Sequence, residues 1–246
     1  SVFHSVSAFC NAGFDLMGFR EPYSSLTHYA DDPLVNLTVC ALVLLGGLGF
    51  LVWREVWEKG PRLRRYTLHA KIMLSATLIL TLGGAIQFWL AERDNLLSGM
   101  APGEQALASL FQAVSPRTAG FNTVDLARLT SAGGLLTIAL MFIGAGPGST
   151  GGGVKVTTVA VCLLTLTAYI RGRREVGAFN RRLDEGQIHR AAAGVTLYIT
   201  LALGGGFLLL ALQPFPLQDA LFEVFSAMST VGLSTGITRE LSSLNR

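Results

Sequence analysis

Three stretches of this chain, residues 34–52, 72–91 and 191–213, carry no charged residue over 19, 20 and 23 positions. Built as helix, each is long enough to cross a hydrocarbon core about 30 Å thick. A fourth apolar stretch, residues 133–170, runs for 38 positions with one charge, Lys155, and is interrupted by glycines. It is too long for one straight span and is expected to cross as a broken helix. The composition fits a membrane protein: half the residues are apolar, 14% are charged, and 28 are glycine. Small residues are what closely packed membrane helices require.

The net charge of +3 follows topology and is no signal for nucleic acid. Twelve of the 19 Lys and Arg fall in two stretches, Arg54, Lys59, Arg62, Arg64, Arg65 and Lys71, then Arg171, Arg173, Arg174, Arg181, Arg182 and Arg190. The positive-inside rule makes both loops cytoplasmic. Residues 21–32 and 92–104 carry more acid than base, alternate with the basic loops, and are expected outside.

A second pattern lies across these spans. Phe9-Cys10-Asn11-Ala12-Gly13-Phe14, Arg117-Thr118-Ala119-Gly120-Phe121 and Ser229-Thr230-Val231-Gly232-Leu233 are similar turns, their glycines 107 and 112 residues apart. Each follows a short amphipathic run with a serine in a comparable place: Ser7, Ser115 and Ser226. Self-similarity at a long fixed period marks a repeated architecture. A half-helix of about 12 residues covers only about 18 Å, so it can enter a membrane and return but not cross. Non-helical backbone at that depth is tolerated where it is buried in protein or lines a wet cavity. The expected half-helices are residues 1–9, 104–115 and 216–228. The repeated unit is a span, a half-helix, a glycine turn and a second span, with a second span at residues 34–57 in the first unit seen. Three units leave a gap in a ring that four would close, so a further unit is expected before Ser1.

Thr230-Val231-Gly232 is close to the potassium-channel filter signature, in which backbone carbonyls replace the hydration shell of the ion. Glycine takes φ > 0 at little steric cost, which lets successive carbonyls point the same way. Gly13, Gly120 and Gly232 are therefore the leading ion-site candidates. Cys10, Asn11 and Ala12, Thr118 and Ala119, and Thr230 and Val231 would contribute further carbonyls. One such turn is commonplace; three after similar half-helices are not. Asp15 and Asp125 follow two of the turns, where they can concentrate cations or serve as ordinary loop acids. Arg117 would repel cations on the axis. It is expected to point away and brace its loop against a helix end or a carboxylate, with Glu104, Glu223 and Asp219 as candidates.

The break in residues 133–170 is Gly144-Ala145-Gly146-Pro147-Gly148-Ser149-Thr150-Gly151-Gly152-Gly153-Val154-Lys155. Glycine costs about 1 kcal/mol and proline about 3 kcal/mol in a helix interior, so the helix ends here. A nucleotide loop needs Gly-Lys followed by Ser or Thr. Here Val154 separates Gly153 from Lys155, and Val156 follows. A mobile intramembrane loop beneath the glycine turns, obstructing conduction, is the sharper expectation, and a glycine-rich kink the plainer one. A buried ammonium costs at least about 3 kcal/mol on insertion scales, so Lys155 is expected to face water or a partner. Cys10, Cys40 and Cys162 lack metal-ligand spacing and are expected as packed thiols. His4, His28, His69 and His189 are scattered, and no nucleophile, base and orienter cluster is legible. The chain does not read as an enzyme.

These motifs, spread over almost the whole chain in the same order, resemble the Trk/Ktr/HKT superfamily of potassium transporters, and within it the bacterial KtrB-type membrane subunit. The segments that carry the resemblance run from Cys10 to Asp15, Ser115 to Asn122, Gly146 to Lys155 and Ser229 to Gly236. The resemblance implies an all-α membrane protein whose helix, pore-loop, helix units sit with pseudo-fourfold symmetry around one potassium pathway. Residues 1–57, 72–170 and 191–246 would be the second, third and fourth repeats. It implies that Gly146, Pro147, Gly148, Ser149, Thr150, Gly151, Gly152, Gly153 and Lys155 belong to an intramembrane gate, and that potassium at the turn carbonyls is the only metal, with sodium as an activator. It further implies a homodimer in the bacterial inner membrane that binds a cytosolic ring of nucleotide-binding regulatory subunits of KtrA or TrkA type. A first repeat, and a final helix bearing a basic residue beneath the gate, are expected outside this chain, which by itself should not conduct. The resulting reading is channel-like potassium uptake down the electrochemical gradient. The alternatives are a sodium- or proton-coupled transporter with alternating access, whose hallmark is broken helices at the midplane, and a nucleotide-driven pump, for which no site is legible.

Overall fold

Asp32 starts the first long apolar helix. Its Oδ1 accepts from the backbone N–H groups of Leu34 at 2.9 Å and Val35 at 3.2 Å, and Pro33, which lacks a donor, takes the first helical position. Thr67 and Thr130 cap two further helices through the N–H groups of Ala70 and Gly133. The computed structural model describes residues 2–21, 23–173, 175–179, 181–239 and 241. Ser1, at the head of the first expected half-helix, and Arg174 of the second basic loop lie outside the described residues.

The helices in chain order are α1 (Val2–Phe9), α2 (Pro33–Leu48), α3 (Phe50–Lys59), α4 (Leu68–Glu92), α5 (Pro102–Val114), α6 (Ser131–Phe142), α7 (Val156–Ile170), α8 (Glu185–Leu212) and α9 (Leu217–Met228). α4 and α8, of 25 and 28 residues, are long and apolar enough to cross a membrane. Their outer faces leave Leu78, Ile79, Ile86, Leu201, Phe207 and Leu208 exposed, free to meet lipid or further helices. The three half-length helices each pack along a longer one, α1 on α2, α5 on α4 and α9 on α8, and α9 also packs on α6.

The expected span at residues 34–57 is bent: α2 ends at Leu48 and α3 leaves at 93°. Gly49 makes the corner with φ of 86°, and a side chain there would meet the Pro147 carbonyl oxygen at 2.6 Å. The broken span is as expected, with α6 and α7 of 12 and 15 residues on either side of residues 143–155. At about 1.5 Å per residue neither half crosses alone. The span at residues 191–213 begins earlier, at Glu185, so the basic loop feeds directly into α8. Between α7 and α8 lies a hairpin absent from the sequence reading, β1 (Gly177–Ala178) with β2 (Arg181–Arg182).

Three apolar clusters hold the helices. One joins Phe88 of α4 and Ile138 and Met141 of α6 to Phe222 of α9 and Val231 and Leu233 of the last turn. A second joins Ala8, Val39, Cys40 and Val43 to Phe111, Ala119 and Phe121, and a third packs Val52, Ala70 and Met73 on Val156. Each of the first two clusters therefore contains residues of a glycine turn, which fixes the turns to the rigid part of the molecule. Of the cysteines, Cys40 is buried and Cys162 half-buried, but Cys10 is exposed; at Cys10 the expected packed thiol is corrected, because its turn opens to the surface.

Glu92, at the end of α4, is fully buried. Its carboxylate accepts from Thr130 N at 2.8 Å, Thr130 Oγ1 at 2.6 Å and Asn95 Nδ2 at 2.8 Å, and a side chain on Gly133 would overlap it. This one carboxylate fixes the entry of α6 against the exit of α4. Three donors aimed at its oxygens offset the loss of water.

Candidate ion pathway

The three turns share one backbone design. Ser7 Oγ donates to Phe14 O at 2.7 Å, Ser226 Oγ donates to Leu233 O at 2.6 Å, and Ser115 Oγ donates to Phe121 O. The backbone carbonyls of the same serines accept from Ala12 N at 2.9 Å, Gly120 N at 3.3 Å and Val231 N at 2.8 Å. Each serine thus ties both the entry and the exit of its turn to the end of a half-helix.

The dihedral angles repeat as well. Gly13, Gly120 and Gly232 have φ of 70°, 81° and 84°, and the residue two before each is left-handed too, Asn11 at 50°, Thr118 at 73° and Thr230 at 57°. Asn tolerates this region, but a β-branched threonine there is a genuine outlier. Strain of this kind persists where the surroundings over-determine the backbone. Sequence alone points to φ > 0 at the glycines only, since threonine carries no signal for it.

The turns also meet. A side chain on Gly13 would lie 2.5 Å from Ala119 O, and one on Gly120 would overlap Val231 O, while the same position on Gly232 faces open space. Among the described residues, backbone therefore approaches backbone from the first turn to the second and from the second to the third, and nothing approaches Gly232. On one side the glycines line a cavity of about 670 Å³ shared with Asp15, Asp125, Tyr23 and Arg239. Asp15 and Asp125 also close local turns, accepting from Met17 N at 2.8 Å and Ala127 N at 3.1 Å. Arg239, unremarked in the sequence, sets its guanidinium 3.7 Å from the Tyr23 ring centroid, so this mouth carries a cation beside its acids.

On the other side lies the glycine-rich segment. Thr150 Oγ1 donates toward Asn11 Oδ1 at 3.1 Å and Phe9 O at 3.2 Å. A side chain on Gly151 would overlap Thr118 Oγ1, and one on Gly152 would overlap Thr230 Oγ1. Three successive residues thus press on three successive turns. The segment is fastened below by Gly146 N to Gly47 O at 2.9 Å and Phe50 N to Gly148 O at 3.1 Å, which is what the α2–α3 corner provides. It is fastened internally by Gly144 N to Val154 O at 2.9 Å. Lys155, expected to face water or a partner, is half-buried and donates from Nζ to Gly151 O at 2.7 Å. The ammonium finds its acceptor within the segment and braces the tip against its own base.

The carboxylates proposed for Arg117 are corrected. Its guanidinium is buried and reaches Thr81 Oγ1 on α4 at 3.4 Å, away from the cavity. Glu104 instead accepts from Ala101 N at the start of α5, and Glu223 accepts from Ser234 Oγ and Thr238 Oγ1 beyond the third turn. Arg117 sits just past the C-terminus of α5, where the negative end of the helix dipole favours a cation. Sequence reasoning also missed Tyr198 of α8, whose hydroxyl shares a hydrogen bond with Ser229 Oγ and buttresses the third turn. Nothing in an uncharged span marks one tyrosine as a buttress.

A family described as the TrkH cation transport proteins matches residues 1–246. The Ktr system potassium uptake protein B of Vibrio alginolyticus is 41% identical over 248 residues, covering 98% of this chain and 53% of that one. The protein of the same description from Bacillus subtilis is 38% identical over 248 residues, and the potassium/sodium uptake protein NtpJ of Enterococcus hirae 37% over 251, each covering 100% of this chain and 54% of the relative. The chain therefore spans about half the length of these curated relatives. The crystal structure of the potassium transporter TrkH from Vibrio parahaemolyticus shares the fold, with a TM-score of 0.68 at 18% identity over 98% of this chain and 58% of that one. With its mostly helical fold, its family match over residues 1–246 and its relatives in agreement, this chain belongs to the TrkH family of cation transport proteins, a family of transporters and not of enzymes.

Proposed function

We propose that the chain forms most of a channel-like pathway for potassium uptake across the bacterial inner membrane. The observation that carries this reading is the stacking of Thr150, Gly151 and Gly152 beneath the turns of Asn11 to Gly13, Thr118 to Gly120 and Thr230 to Gly232. In this reading potassium sheds water onto the carbonyls of Cys10, Asn11, Ala12 and Gly13 and their counterparts in the other two turns. Asp15 and Asp125 raise the local cation concentration at the entrance. Residues 146–155 obstruct the exit and move aside when the pathway opens.

Residues 1–57, 72–170 and 191–246 are then successive repeats, with the glycine turns outside and the basic loops in the cytoplasm. The names of the relatives, one of them a potassium/sodium uptake protein, support potassium as cargo and make sodium the ion to test as activator. A homodimer carrying a cytosolic ring of nucleotide-binding subunits completes the reading, and the two basic loops are the surface that faces such a ring.

The test is potassium and sodium flux into liposomes holding the full-length protein, with and without an imposed voltage. Saturable, potassium-selective flux that follows the potential is expected. Strict coupling to a sodium or proton gradient, with no flux driven by voltage alone, would replace the pore with alternating access.

A further inference from the structure

An apolar groove of about 370 Å³ opens between α4 and α7, lined by Ile72 and Ala76 on one wall and Ala160 and Leu163 on the other. Ile79 and Leu163, both on its walls, are 67% and 56% exposed, so the groove opens on an apolar outer surface of this chain. Ala178 and Phe179 of the hairpin also line it. The same two residues line a second, polar cavity of about 580 Å³ that also contains Arg173, Arg181, Arg182 and Glu175. Arg182 pairs with Glu175, whereas among the described residues Arg173 and Arg181 pair with no carboxylate. Lys71 brings a further cation, its Nζ 5.8 Å from the Phe179 ring centroid.

Phe179 thus separates an apolar slot from a cluster of cations. It is held there at a cost, since its φ of 51° is left-handed and its ring is half exposed. A slot of this volume has room for about one hydrocarbon chain, far less than a helix with side chains about 10–12 Å across would fill. Basic pockets between membrane helices on the cytoplasmic side are where anionic headgroups settle.

We propose that the groove holds one acyl chain of an anionic phospholipid of the surrounding membrane, with its headgroup on Lys71, Arg173 and Arg181. The position gives the lipid leverage. Ile143 and Val156, which also line the groove, are the residues on either side of the glycine-rich segment, and Val156 N donates to Ala145 O at 3.3 Å. A chain wedged between α4 and α7 bears on Ile143 and Val156, and so on the α7 end from which the segment hangs. This second step rests on the proposed role of that segment as the obstruction; the binding step does not.

The experiment separates the two. Full-length protein is released from nanodiscs of phosphatidylglycerol or phosphatidylcholine, and retained lipid is counted by native mass spectrometry. Ala160→Trp fills the slot, and Arg173→Gln with Arg181→Gln removes headgroup charge while leaving the slot open. Both variants are expected to lose one retained phosphatidylglycerol per chain with phosphatidylcholine unchanged, and the charge variant to bind it about fivefold more weakly per arginine removed. Undiminished phosphatidylglycerol in both variants, equal loss of both lipids, or a change in oligomeric state in place of lipid loss overturns the site. The paired readout is potassium flux in liposomes of each lipid, whose ratio should fall toward one in both variants. Selective lipid loss with an unaltered flux ratio upholds the site and overturns its hold on the segment.

Discussion

Gly120 and Gly232 occupy equivalent turns with nearly equal φ, yet their surroundings differ. A methyl group on Gly120 would overlap Val231 O, a backbone atom that cannot swing away, whereas on Gly232 it meets no atom among the described residues, on the side where a further repeat would close the ring. Left-handed backbone costs a residue with a side chain about 1–2 kcal/mol in either place. Gly120→Ala is therefore expected to abolish potassium flux, while Gly232→Ser leaves flux and lowers the preference for potassium over sodium; parallel uptake of both ions by the two variants measures this. Equal selectivity in Gly232→Ser and the parent would remove that turn from the ion pathway. At Glu92, Glu92→Ala strands three donors at about 1–3 kcal/mol for each unsatisfied group. A loss of several degrees in melting temperature in detergent is expected, against little change for Glu104→Ala, whose carboxylate accepts a single bond in an exposed place.

Between elements, the decisive geometry is the seating of residues 146–155 against the turns above and the α2–α3 corner below. Lys155 holds the tip through one charge-assisted hydrogen bond, of a class worth about 1.5–3 kcal/mol. Lys155→Met should raise potassium flux by about tenfold or more where the segment is the obstruction, and deletion of residues 148–153 should raise it further. Single-turnover uptake in liposomes reads both, and unchanged or lower flux in folded protein would count against the obstruction. Much of this arrangement was legible in the sequence. The uncharged lengths located α4 and α8, and the repeated serine and glycine positions located all three turns. The bend at Gly49 was not legible, because Gly46, Gly47 and Gly49 lie together in an uncharged run and the pattern does not say which one turns the chain. The partner of Arg117 was hidden for a different reason. A burial that relies on the neutral hydroxyl of Thr81 and a helix end leaves no charge pattern to read.

At the scale of the whole molecule, the two basic stretches lie on either side of α4, α5, α6 and α7, at the ends of spans opposite to the glycine turns. Single cysteines at Arg64 and at Ser98, in a background without the native three, should react with a membrane-impermeant maleimide from opposite sides of right-side-out vesicles, Ser98 from outside and Arg64 only after permeabilisation. Labelling of both from one side would discard the orientation. The contacts beneath the turns also bear on how such a pathway would switch. Thr150, Gly151 and Gly152 are adjacent in one short stretch of backbone, so none can withdraw from its turn while the other two stay seated. Where the segment is the obstruction, they would behave as a keystone and not as three latches. Electrical records from a single molecule should then show full-height steps without intermediate levels, and a substitution under any one turn should alter how long the closed periods last, not how many kinds of closed period there are.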